Sequence, residues 1–172
     1  MLLLLDRLIK QLVSVAFFGA VAAMLCIMVI GSADVVGVAL SAPVPAALEA
    51  QETLLAVSIF LAIAHAQRRG EHIAVDLILT QLSDRTRRHL KLLPLICGVF
   101  ACAIIGARTW TLAMSSLNVS ETANAIVAFP IYPAKFLVSI GAWIATMEFL
   151  RQLAWWCVGK EAIEADVPAP IE

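Results

Sequence analysis

Long uncharged apolar runs alternate along this chain with short polar breaks. Leu12 to Ala33 carries no charge over 22 residues, which at about 1.5 Å rise per residue exceeds the roughly 30 Å hydrocarbon core of a bilayer. Asp34 is expected to close this first span, and Ser41-Ala-Pro-Val-Pro45 to turn the chain into the second. The second run, Thr53 to Gln67, has only 15 uncharged residues, so it crosses only if its helix begins near Ala46 or Leu48. Glu49 and Glu52 then fall in the first turns, three apart on one face, where acids are favoured by the helix N-terminus. They read either as solvated caps at the headgroup level or as side chains facing a partner protein or the bundle interior.

The sharpest break is Gln67 to Leu79, Q-R-R-G-E-H-I-A-V-D-L-I-L. Arg68 and Arg69 stop the second span and Gly70 caps it. Beyond them Val75, Ile78, Leu79 and Leu82 recur at helical spacing among polar residues, which predicts a short amphipathic helix lying in the interface over about 72–87. His72 and Asp76, four apart on one face, are candidates for fixing that helix against the arginines or a partner. A basic cluster, Arg85, Arg87, Arg88, His89 and Lys91, precedes a third run from Leu92 to Ala107, which extends towards Met114 if Arg108 snorkels. Within it Gly98, Cys102 and Gly106 form a small-residue stripe that lets another helix approach closely. Ser115 to Phe129 is polar enough to leave the membrane, and Pro130 and Pro133 punctuate the start of a fourth run. Glu148 and Arg151 sit three apart near the end of that run, with Trp155 and Trp156 as an interfacial anchor.

The pattern therefore predicts an all-α membrane protein. Four transmembrane helices, at about 12–34, 47–67, 90–113 and 133–156, form one domain over 1–159 together with the interfacial helix on the cytoplasmic side. The tail, 160–172, is short and acidic, with the composition of a disordered segment. A hydrophobic content of 62% and a mean hydropathy of +0.92 exclude a soluble domain, where apolar residues make up about 45–50%. A secretory signal peptide, the rival for the first run, has an apolar region of only about 7–15 residues.

The net charge of −1 gives no reason to expect a nucleic acid partner, but the placement of charge sets topology. Arg7, Lys10, Arg68, Arg69, Arg85, Arg87, Arg88, Lys91, Arg151 and Lys160 are ten of the twelve basic residues, and four spans put all ten on one side. The positive-inside rule makes that side cytoplasmic, with both termini in the cytoplasm. Only Arg108 and Lys135 belong to the opposite side.

Chemistry is sparse. No nucleophile, metal cluster, phosphate loop or dinucleotide fingerprint is visible, so no enzymatic activity is expected of this chain alone. The four cysteines lie in or beside apolar runs, where a thiol behaves as a small hydrophobe. His65, His72 and His89 raise the alternative of a membrane anchor for a redox complex with haem between axial histidines. All three fall at or beyond the ends of spans, which disfavours it. The spans also lack the midplane polar residues that a self-sufficient transporter uses, leaving a structural subunit of a larger assembly.

Several segments resemble the small membrane subunit of tripartite ATP-independent periplasmic (TRAP) transporters. They are Asp34-Val-Val-Gly37, Pro43-Val-Pro45-Ala-Ala-Leu-Glu49 with Glu52, Ala64-His-Ala-Gln-Arg-Arg-Gly-Glu-His-Ile-Ala-Val-Asp76-Leu, and Phe129-Pro-Ile-Tyr-Pro-Ala-Lys135 with Gly141. The Arg-Arg-Gly-x-His-Ile-x-Val-Asp stretch is the most specific. The resemblance implies a sodium-driven secondary transporter for organic anions, carboxylates or sulfonates, in a bacterial inner membrane. It implies as partners a large transport subunit and a periplasmic substrate-binding protein, with sodium and substrate sites on the large subunit and no cofactor here. Where the family often carries an Arg-Tyr-x-Phe-Asn type segment, this chain reads Val38-Ala-Leu-Ser-Ala42, so Glu49 or Glu52 is expected to find another cation, with Arg108 the candidate.

Overall fold

The computed structural model describes residues 2–69, 84–123 and 128–157, with backbone alone for 2–4 and 84–91. Four helices account for nearly all of them: α1 (Leu2–Ala39), α2 (Ala47–Arg69), α3 (Asp84–Asn118) and α4 (Tyr132–Cys157). Each is long and apolar enough to cross a membrane. The expected interfacial helix lies outside the described residues over 70–83, and its last part, Asp84–Arg87, belongs to the first turn of α3 instead. The tail beyond Cys157 is also outside them.

α1 corrects the first boundary. It runs five residues past Asp34, because Val35, Val36 and Val38 continue the apolar run and one carboxylate at the membrane edge does not end a helix. Termination comes from a Schellman motif: Ser41 N donates to the Val38 carbonyl (3.1 Å) and Ala42 N to the Gly37 carbonyl (2.8 Å), with Ser41 left-handed at φ 58°. α3 ends the same way, with Ser120 N on the Leu117 carbonyl (3.1 Å), Glu121 N on the Ser116 carbonyl (2.9 Å), and Ser120 at φ 48°.

α4 is the central element. It packs against both α2 and α3 and touches α1, while α1 packs chiefly on α2. The core mixes small and aliphatic residues: Val13, Ala16 and Ala20 of α1, Val57, Leu61 and Ala64 of α2, and Ile144 and Ala145 of α4. Small side chains let helices come close where lipid removes the hydrophobic drive for association. Backbone meets backbone at Gly141, where an added Cβ would lie 2.7 Å from the Phe60 carbonyl carbon and 2.8 Å from its oxygen.

On the other side of α4, the stripe predicted from Gly98, Cys102 and Gly106 faces α4. A Cβ at Gly98 would overlap the Phe149 ring, and one at Gly106 would come within 3.2 Å of the Trp143 indole nitrogen. Ser139 Oγ, fully buried, donates to the Gly106 carbonyl at 2.8 Å.

Candidate functional site

Three helix ends meet at one level of the bundle: the start of α1 and the ends of α2 and α4. Arg151 is the hub. Its Nε and Nη2 form a fork on both oxygens of Glu148, at 2.8 and 2.7 Å, the planar two-point geometry that makes such pairs strong. Its Nη1 reaches Asp6 of α1 at 2.8 Å. Asp6 also accepts from Trp155 Nε1 (3.2 Å) and pairs with Lys10 (3.2 Å). Glu148 accepts from Gln152 Nε2 at 2.9 Å. Gln152 in turn exchanges bonds with Gln67 of α2, donating to its carbonyl (3.1 Å) and accepting from its side-chain amide (2.8 Å). Arg68 Nη1 reaches the Lys10 carbonyl at 3.4 Å.

Glu148 is fully buried and Arg151 is 6% exposed. A charge buried alone is costly, and the arrangement offsets that cost by pairing two acids, Asp6 and Glu148, with two cations, Lys10 and Arg151. Helical spacing sets the local part: residues three and four apart, Glu148, Arg151 and Gln152, share one face of α4. The cross-helix part ties α1, α2 and α4 at one register. Beside it, an apolar groove of about 300 Å³ opens between Leu5 and Ile9 of α1 and Met147 and Leu150 of α4. Near the same end His65 of α2 stacks on Phe17 of α1, ring centroids 4.0 Å apart.

At the far end of α4, Lys135 donates to Ser116 Oγ (2.7 Å) and Glu121 Oε2 (2.6 Å), and Ser116 Oγ also donates to Glu121. This cluster clasps the α3–α4 connection, where Ile131 N donates to the Glu121 carbonyl. The hydrogen bond from Lys135, seconded by Ser116, holds the Glu121 carboxyl below the usual carboxylate range.

The other sequence candidates are dispersed. Asp34 Oδ1 accepts from Val44 N at 3.0 Å, stapling the α1–α2 turn. Glu49 and Glu52 occupy the first turns of α2, Glu49 half-buried and Glu52 exposed. Arg68 and Arg69 close the last turn of α2, and Gly70, His72 and Asp76 lie outside the described residues. The pairing expected between Arg108 and Glu49 or Glu52 is not made. Among the described residues no ion pair joins them, because α4 separates α3 from α2 and Arg108 points outward, exposed.

Sequence reasoning missed the Arg151 hub. The available signal was a pair of opposite charges, Glu148 and Arg151, inside an otherwise apolar helix. Among the described residues no three His, Cys, Asp or Glu side chains gather as a metal site.

Four helices long and apolar enough to span, with their buried polar groups paired from helix to helix at one end, define a multi-pass membrane protein. The chain belongs to the family of the DctQ component of tripartite ATP-independent periplasmic transporters, whose model matches residues 27–157. It is thus a small membrane subunit of a TRAP transporter, a transporter component family. No curated protein and no solved structure matches it.

Proposed function

We propose that the chain is the scaffold subunit of a sodium-driven, binding-protein-dependent secondary transporter for organic anions, carboxylates or sulfonates. It pairs with the large transport subunit and helps dock the periplasmic binding protein, while sodium and substrate are handled by the large subunit. The family match over most of the four-span bundle carries this reading. Among the described side chains Arg7, Lys10, Arg68, Arg69 and Arg151 lie at the helix ends around the Arg151 hub, and by the positive-inside rule this supports an inner-membrane orientation with cytoplasmic termini. Asp34, Glu49, Glu52 and Glu121 then give the opposite, periplasmic end an acidic character that suits docking of a soluble protein.

The test is reconstitution. The large subunit, co-expressed with this chain, is expected to co-purify with it, and proteoliposomes are expected to take up a carboxylate or sulfonate only with binding protein and a sodium gradient. Uptake that proceeds equally without this chain, or without sodium, refutes the reading.

A further inference from the structure

Resting on that reading, the exposed faces of the four helices can be compared as seats for the large subunit. α3 joins the bundle through α4, using Leu95, Gly98, Cys102, Gly106, Ala113 and Ser116. On its far side Cys97, Ala101, Ile104, Arg108, Thr111 and Ser115 follow at alternating spacings of four and three, all exposed, one continuous seam along a helix. Most of these side chains are small or polar, while the exposed positions beside them, Phe100, Trp110, Leu112 and Met114, are bulky and apolar. Lipid-facing surfaces favour the second kind and helix interfaces the first.

Arg108 is the decisive residue. Ser116, at the level of Lys135 and Glu121, lies eight residues further along α3, so Arg108 sits about 12 Å deeper into the span. It makes no ion pair or hydrogen bond with any described residue. An outward guanidinium at such depth is costly unless paired. By contrast, the outward face of α1, with Phe18, Leu25, Met28 and Val29, carries no charge from Leu12 to Ala33 and suits lipid alone.

We propose that the Cys97–Ser115 seam of α3 seats a membrane helix of the large transport subunit, with a carboxylate on that helix forming an ion pair with Arg108. The planar guanidinium supplies two-point recognition of a carboxylate. Ala101, Thr111 and Ser115 allow the close approach that brings the two charges together. The alternating spacing favours a crossing angle of about 20°.

The complex itself provides the test. Arg108→Glu, at a side chain with no ion pair or hydrogen bond to any described residue, is expected to lower recovery of the large subunit at least ten-fold, while Arg108→Lys keeps most of it. In a cysteine-free chain, Ser115→Cys and Met114→Cys place thiols at one depth on different faces of α3. Binding of the large subunit is expected to slow maleimide labelling of Ser115→Cys at least five-fold and to leave Met114→Cys unchanged. Failure of the wild-type chain to recover the large subunit refutes the subunit reading itself. Recovery with equal labelling of the two cysteines, or undiminished recovery of Arg108→Glu, leaves that reading standing and overturns the seam, which then faces lipid.

Discussion

Near its last turns α4 sets Arg151 against Glu148 and Asp6, and in its first turn it sets Lys135 against Glu121 and Ser116. The ingredients match: a cation, a carboxylate and neutral hydrogen-bonding groups. The settings do not. The Glu148 side chain is fully buried, whereas that of Glu121 is 40% exposed. Water screens the Lys135 pair and can replace either partner, so such a pair contributes little. At the Arg151 end Glu148 is buried, so losing its cation strands a charge and the same chemistry weighs far more on helix register.

The largest expected effect follows from that difference. Arg151→Met leaves Glu148 buried without its cation, at a cost of about 3–5 kcal/mol, and is expected to abolish a cooperative thermal transition in detergent. Lys135→Met should shift the transition by only a few degrees. The double variant Glu148→Gln/Arg151→Met is expected to recover much of the loss, since it removes the stranded charge along with its partner. If both ends respond equally to loss of their cation, burial is not what separates them.

Gly141 lies between the two ends and asks whether the helix surfaces alone hold α4 in place. Its Cβ would meet backbone atoms of Phe60 and Leu61 at 2.7–3.0 Å, and backbone cannot rotate away. Gly141→Ala should push α2 and α4 apart, lowering stability by about 1–3 kcal/mol and loosening the Gln67–Gln152 exchange. A thermal midpoint equal to wild type would show that the crossing has slack. One step smaller, Ser139→Ala removes the hydroxyl bond to the Gly106 carbonyl. About 0.6 kcal/mol is the mean for hydrogen bonds within membranes, readable in the same melts.

The comparison also explains how much could be read from sequence. Span length is a property of consecutive residues, so all four helices were visible as apolar runs. Helix ends were less so: Asp34 looks like a stop, but termination lies in the left-handed Ser41, a serine where glycine is the usual marker. Gly98 and Gly106 announced a close approach, yet nothing in a stripe of small residues specifies that Phe149 and Trp143 fill it. The Arg151 hub was hidden because Asp6 stands 145 positions away and Gln67 is 85 from Gln152. A Glu and an Arg three apart read equally well as a solvated helix end until α1 and α2 are seen to cover them.

The smallest effect belongs to Glu121 and is a pH effect. Its carboxyl is held below the ordinary range by Lys135 and then Ser116, so the folded state binds the proton less tightly than the unfolded chain does. The clasp therefore contributes in full well above the ordinary glutamate value of about 4.3. It fades as pH falls through the lowered value of the folded state. Exchange of the Ile131 amide, which donates to the Glu121 carbonyl at 3.3 Å, reports this locally once corrected for intrinsic rate. Protection in the wild-type chain is expected to drop as pH falls below the ordinary glutamate range, while Glu121→Gln shows lower protection at neutral pH and no such drop. Identical profiles in the two proteins would mean that the Lys135 bond does not hold the connection, and that Thr122 and Pro130, paired across it, hold it by backbone alone.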